Sequence, residues 1–142
     1  MIKRRGSAKW GGGLKDGKGT VSTASGVLDN QAYGFNTRFQ DAKGTNPEEL
    51  IGAAHAGCFS MALSGVLGEH DLVAEEIATT ATVSLEEKDG GFAITKIHLD
   101  VKARIPGADA GVFREAAEGA KANCPVSKLL NAEITMDAEL QS

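Results

Sequence analysis

The chain is poor in several residue types, and each shortage removes a class of function. Only two cysteines occur in 142 residues, Cys58 and Cys124, 66 positions apart. Two are too few for a secreted disulfide scaffold, and their spacing excludes a CxxC motif. A catalytic or redox pair remains possible. Positive charge is also lacking: 15 Lys and Arg stand against 19 Asp and Glu, for a net charge of -4. No general attraction to nucleic acid or to an anionic membrane is available, so neither is expected as a partner. The one basic cluster, Lys3-Arg4-Arg5, is followed by Gly6 and Ser7 rather than an apolar stretch and reads as a solvated start. No apolar run approaches the roughly 18 to 20 residues that span a bilayer, and no cleavable signal is visible, so a soluble, cytoplasmic protein is expected. Aromatic residues make up 5% of the chain, and much of its 42% hydrophobic content is alanine. Each buried side chain therefore removes little area from water, and association with a second subunit would help.

The length suits one globular domain covering residues 1–142. Its first third holds most of the glycine, in GGGLKDGKGT (11–20) and SGVLDNQAYGF (25–35), interrupted by β-prone Val21, Thr23, Val27, Tyr33 and Phe35. Short strands and turns are predicted there. A phosphate-binding loop is excluded because Gly19 stands where Ser or Thr must follow the GK.

Asn46-Pro47-Glu48-Glu49 has the order of a helix start: a capping side chain, proline at the first position and a glutamate suited to a capping box. The run from Leu50 to Leu67 is apolar on more than one face, which predicts a helix buried nearly all round, ended by Gly68 and Glu69-His70-Asp71. Small Gly52, Ala53, Ala56 and Gly57 would let another backbone approach. Alternation over 77–85 predicts a strand, Asp89-Gly90 a turn, and 92–105 a second strand whose three-residue step from Ile94 to Ile97 signals a bulge. Asp109 caps a second amphipathic helix on Val112, Phe113, Ala116, Ala117 and Ala120. Asn123-Cys124-Pro125 breaks it and opens a short third helix, and a final strand follows from Ile134 to Leu140. Strands segregated from helices make the fold class α+β.

On position alone Cys58, inside the most hydrophobic helix, reads as a buried small hydrophobe whose surroundings raise its pKa. Reactivity would need a nearby cation. Cys124, placed by Pro125 at a helix start, is either a buried cap residue or a thiol suited to disulfide exchange. His55, three residues before Cys58, raises a metal site or a Cys-His pair, but no ligand spacing supports the first. It reads instead as a partly buried interface residue able to tune the thiolate.

The segments GTNPEELIGAAHAGCFSMAL (44–63) and KANCPVSKLLNAEIT (121–135) closely resemble the OsmC/Ohr family of hydroperoxide reductases. GKGTVSTASGVL (17–28), YGFNTRF (33–39) and GFAITKI (91–97) are similar to the OsmC branch in particular. The resemblance implies an antiparallel sheet with a long buried central helix and a second helix, in an intertwined homodimer. It further implies Cys58 as the peroxidatic residue, Cys124 as the resolving residue, and Arg38 and Glu48 as the active-site arginine and glutamate. No cofactor and no metal are expected. The substrate would be an organic hydroperoxide, and the reductant an external dithiol of the lipoyl type.

Physical chemistry fits those roles, since Arg38 is a permanent cation and Glu48 can hold its guanidinium by paired hydrogen bonds. Ten residues separate Glu48 from Cys58, about 15 Å on a straight helix, so a second subunit would have to bring such groups together. A non-enzymatic alternative uses the same cysteines as a redox-sensing disulfide.

Overall fold

Three short strands open the chain: β1 (Gly6–Gly11), β2 (Lys18–Thr23) and β3 (Gln31–Tyr33), paired antiparallel in that order. The structure, a computed structural model, describes residues 1–142 and divides into two compact units, Met1–Leu50 and Ile51–Ser142. Val27 falls in the turn after β2, and Phe35, expected in a strand, instead starts a short helix α1 (Phe35–Phe39). The Thr37 hydroxyl explains this departure. It accepts the Gly34 N–H at 2.8 Å and donates to the Gly34 carbonyl at 3.0 Å, closing a helical turn over β-prone residues. Phe35 and Phe39 then meet one turn apart, ring centroids 4.8 Å from each other. Gly44, at φ +151, allows the chain to pass: a Cβ there would lie 2.8 Å from Thr37 Cγ2 and 2.9 Å from the Ala32 carbonyl oxygen.

Helix α2 (Pro47–Gly68) starts and stops where its sequence signals stand. Asn46 Oδ1 accepts the Glu49 N–H at 2.8 Å, and Asn46 Nδ2 donates to Glu49 Oε2 at 3.0 Å. Beyond residue 50 the helix belongs to the second unit, where His55, Phe59, Leu63 and Leu67, spaced by four, are all fully buried. The other side corrects the expectation of burial nearly all round, because Ala53, Ala54, Gly57, Met61, Ser64 and Gly65 are exposed. A second correction concerns the membrane. With 22 residues and a mean hydropathy of 1.6, α2 is long and apolar enough to cross a bilayer. One face of α2, with a hydrogen-bonded histidine in it, packs into the core of the second unit.

The sheet of the second unit begins with a hairpin of β4 (Glu76–Lys88) and β5 (Gly91–Arg104), turned by Asp89 and Gly90 at φ 53 and 83. The register runs Ser84↔Lys96 and then Leu85↔Ile94, which leaves Thr95 as the extra residue of the expected bulge. Helices α3 (Ala110–Asn123) and α4 (Pro125–Leu129) follow, and β6 (Glu133–Gln141) pairs with β5 in parallel. The expected purely antiparallel sheet is therefore corrected to a mixed one. A hairpin returns the chain antiparallel, whereas the crossover through α3 and α4 carries it back to the starting end of β5. The core joins the buried face of α2 to Ile97, Leu99 and Val101 of β5 and to Phe113, Ala117 and Ala120 of α3. Gly52 permits close approach of α2 to β4, for a Cβ there would stand 3.1 Å from the Ala81 carbonyl oxygen.

Candidate active site

The four residues expected to carry chemistry fall into two pairs, Arg38 with Glu48 in the first unit and Cys58 with Cys124 in the second. Arg38 leaves the last turn of α1 and Glu48 the first turn of α2. Asn46 fastens these turns to each other by donating from Nδ2 to the Thr37 carbonyl at 3.2 Å while it caps α2. Arg38 Nε donates to Glu48 Oε1 at 2.8 Å. This is one bond rather than the paired bonds expected, and Glu48 Oε2 is buried with no partner. The guanidinium also lies over the Phe39 ring, 5.3 Å from its centroid. Beside it opens a cavity of about 200 Å³ lined by Trp10, Leu14, Tyr33, Phe35, Arg38 and Phe39.

The sulfur pair is built by α2 and α4. Cys124 ends α3 and begins α4: its N–H donates to the Ala120 carbonyl at 2.9 Å, and its own carbonyl accepts the Lys128 N–H at 3.1 Å. Pro125 at the first position of α4 fixes this break. Cys124 is buried, Cys58 is half-buried, and both are free thiols. The Cys124 side chain and the Val126 backbone lie close enough to the Cys58 thiol to act on it. Burial pushes the Cys58 thiol above its ordinary 9.0, the Val126 N–H pulls it down, and Cys124 adds to the rise. Both groups named here, Cys124 and Val126, stand at the start of α4.

A third residue type joins the pair. Cys124 Sγ donates to Ser127 Oγ at 3.2 Å and accepts the Ser127 N–H at 3.4 Å. Ser127 Oγ lies 2.7 Å from His55 Nε2. His55 is fully buried, not the partly buried interface residue expected, and burial lowers its pKa below 6.5. Its Nδ1 has no partner. Ser127 was missed from sequence. Its signal is the spacing Cys124-Pro125-Val126-Ser127, which sets a polar residue at the third helical position, within reach of the cap side chain.

His98, which carried no ligand spacing along the sequence, meets Asp100 and Asp137 through the parallel register of β5 and β6. Its Nε2 lies 3.0 Å from Asp137 Oδ2 and 3.5 Å from Asp100 Oδ1, with the imidazole half-buried and both carboxylates exposed.

Comparison with known proteins gives a consistent assignment. Residues 40–139 match the family described as OsmC-like protein. The chain is 60% identical over 141 residues to Peroxiredoxin OsmC of Escherichia coli strain K12, covering 99% of each. It is 31% identical over 124 residues to organic hydroperoxide resistance protein OhrB of Bacillus subtilis strain 168, covering 87% of this chain and 89% of that one. The crystal structure of Bacillus subtilis OhrB matches with a TM-score of 0.72 at 28% identity, covering 99% of this chain and 98% of that one.

Proposed function

The chain belongs to the OsmC-like protein family, and from that premise we propose that it is a thiol peroxidase reducing organic hydroperoxides to alcohols. The observation that carries the reading is the placement of two free thiols, Cys58 on α2 and Cys124 at the start of α4, near enough for one to shift the other's ionisation. In the first step the Cys58 thiolate attacks the terminal peroxide oxygen. The O–O bond breaks, the alkoxide takes a proton and leaves as alcohol, and Cys58 becomes a sulfenic acid. Cys124 then attacks the Cys58 sulfur. Its S–O bond breaks, hydroxide leaves as water, and a Cys58–Cys124 disulfide forms. An external dithiol, of the lipoyl type, returns both thiols by two exchanges.

The first step needs an ionised sulfur, and burial opposes it. Arg38 is the suitable cation, and its single bond to Glu48 leaves Nη1 and Nη2 for a thiolate and a developing alkoxide. We place Arg38 and Glu48 of a second copy over Cys58, in a homodimer whose subunits meet on the exposed small-residue side of α2. The aromatic cavity beside Arg38 then receives the organic part of the peroxide. A cytoplasmic location supplies the reducing dithiols the cycle consumes.

Steady-state consumption of cumene hydroperoxide with dihydrolipoamide tests the assignment. The wild type should consume many equivalents per subunit, Cys58→Ser none, and Cys124→Ser little beyond the first. Wild-type consumption that stops at one equivalent despite excess dithiol would identify a redox sensor instead, and no consumption would identify inert thiols.

A further inference from the structure

The proposed cycle leaves one requirement unmet, because the resolving thiol must lose a proton where water does not reach it. Cys124 is 1% exposed, and the thiolate, not the thiol, is the nucleophile in disulfide formation. A continuous line of hydrogen bonds leads from that sulfur to a base. It runs from Cys124 Sγ to Ser127 Oγ at 3.2 Å and on to His55 Nε2 at 2.7 Å. We propose that Ser127 and His55 are a proton relay serving Cys124, which makes the resolving thiolate at the moment it attacks the Cys58 sulfenic acid. This rests on the two-cysteine reading given above.

The geometry supports a relay in three ways. First, the donors line up. With Cys124 as donor to Ser127 Oγ, the serine hydroxyl is free to donate to Nε2, and the neutral ring then carries its hydrogen on Nδ1. Second, the product of transfer is also bonded. Once the sulfur proton has moved to Oγ and the hydroxyl proton to Nε2, the ring donates to Oγ, Oγ donates to the thiolate, and the Ser127 N–H, 3.4 Å away, donates to it too. Third, the histidine is a poor structural filler. It lies on the core face of α2 in line with Phe59, Leu63 and Leu67, where an apolar side chain would pack without leaving Nδ1 unpartnered. The groups facing the imidazole are Ser127 and, through it, Cys124 from α4, and Cys58 follows three residues later on its own helix.

The step balances without an outside reagent. The Cys124 S–H proton passes to Ser127 Oγ and the Ser127 hydroxyl proton to His55 Nε2. The S–S bond forms as the Cys58 S–O bond breaks. The imidazolium then returns a proton through the same serine to the departing hydroxide, which leaves as water. Ser127 touches the reacting sulfur, whereas His55 acts through it as a positioning and relay residue.

The test separates the two half-reactions. Reduced protein is mixed with one equivalent of cumene hydroperoxide, and peroxide loss and disulfide formation are timed independently. In Ser127→Ala peroxide loss should stay within about twofold of wild type while disulfide formation slows by roughly 100-fold or more, with sulfenic acid trapped by dimedone. That slow step should accelerate about tenfold per pH unit, as hydroxide replaces the relay, and the wild-type step should be less steep. His55→Gln should share the phenotype, and Ser127→Thr, which keeps a hydroxyl, should restore the rate. Wild-type disulfide rates in Ser127→Ala, or equal slowing of both half-reactions, would overturn the relay. If the wild type consumed no peroxide, the peroxidase reading would fall, and the relay would be read in a Cys58→Ser background from exchange of Cys124 with dithiodipyridine. Adding Ser127→Ala there should slow exchange at least tenfold, and an unchanged rate would exclude the relay.

Discussion

His55 carries two opposing demands in one side chain, for it is fully buried and yet ionisable. Burial lowers its folded-state pKa, so the folded protein prefers the neutral ring and binds fewer protons than the unfolded chain as pH falls below 6.5. The contribution is fully present above the unfolded value of 6.5 and is lost as pH falls towards the lower folded value. Urea unfolding of wild type and His55→Gln across pH 5 to 8 checks this. The wild type should lose stability relative to the variant on the acid side only, and parallel curves would mean that the ring does not titrate on unfolding. At this scale the sequence spoke unevenly. Cys58, Cys124, Arg38 and Glu48 were singled out as candidates because each sits in a motif. Ser127 was not, because a serine in a short helix is ordinary until folding aims it at a buried histidine 72 positions away.

Elements whose ends are set by local chemistry were the most legible. Proline and asparagine start α2, glycine ends it, and a broken alternation marks the bulge at Thr95. The failures have a shared cause in non-local or side-chain-specific bonds. Helix α1 exists through one threonine hydroxyl and overrides strand-prone residues. The direction of β6 depends on a crossover that no window along the sequence contains. The α1–α2 corner links such details to the proposed site, because Asn46 both caps α2 and holds the Thr37 carbonyl next to Arg38. Asn46→Ala should cost about 1 kcal/mol in stability through the lost cap. It should also lower peroxide turnover severalfold, since Arg38 loses its placement. Asn46→Asp keeps the cap acceptor but not the Nδ2 donor, and it faces Glu49 with like charge. Thermal unfolding and turnover together check this corner: stability lost in the alanine variant with turnover intact would separate the corner from the site.

For the whole molecule, the decisive question is whether the role proposed for Arg38 at Cys58 is carried out within one chain or between two. On one helix ten residues, about 15 Å of rise, separate Glu48 from Cys58, and Glu48 holds Arg38. The exposed side of α2 offers Ala53, Gly57, Met61 and Gly65, a surface of mostly small residues suited to a second copy of the same helix about a twofold axis. If each site takes its cysteine from one subunit and its arginine from the other, two inactive variants must complement. Arg38→Met and Cys58→Ser proteins, unfolded together and refolded as an equal mixture, would form about half heterodimers, each with one intact site of two. The mixture should therefore recover about a quarter of wild-type turnover, while each variant alone stays near zero. A site built within one chain leaves every site in the mixture with one fatal substitution, and no activity returns. The recovered fraction thus decides between the two arrangements, and the same samples in analytical ultracentrifugation report whether the dimer forms at all.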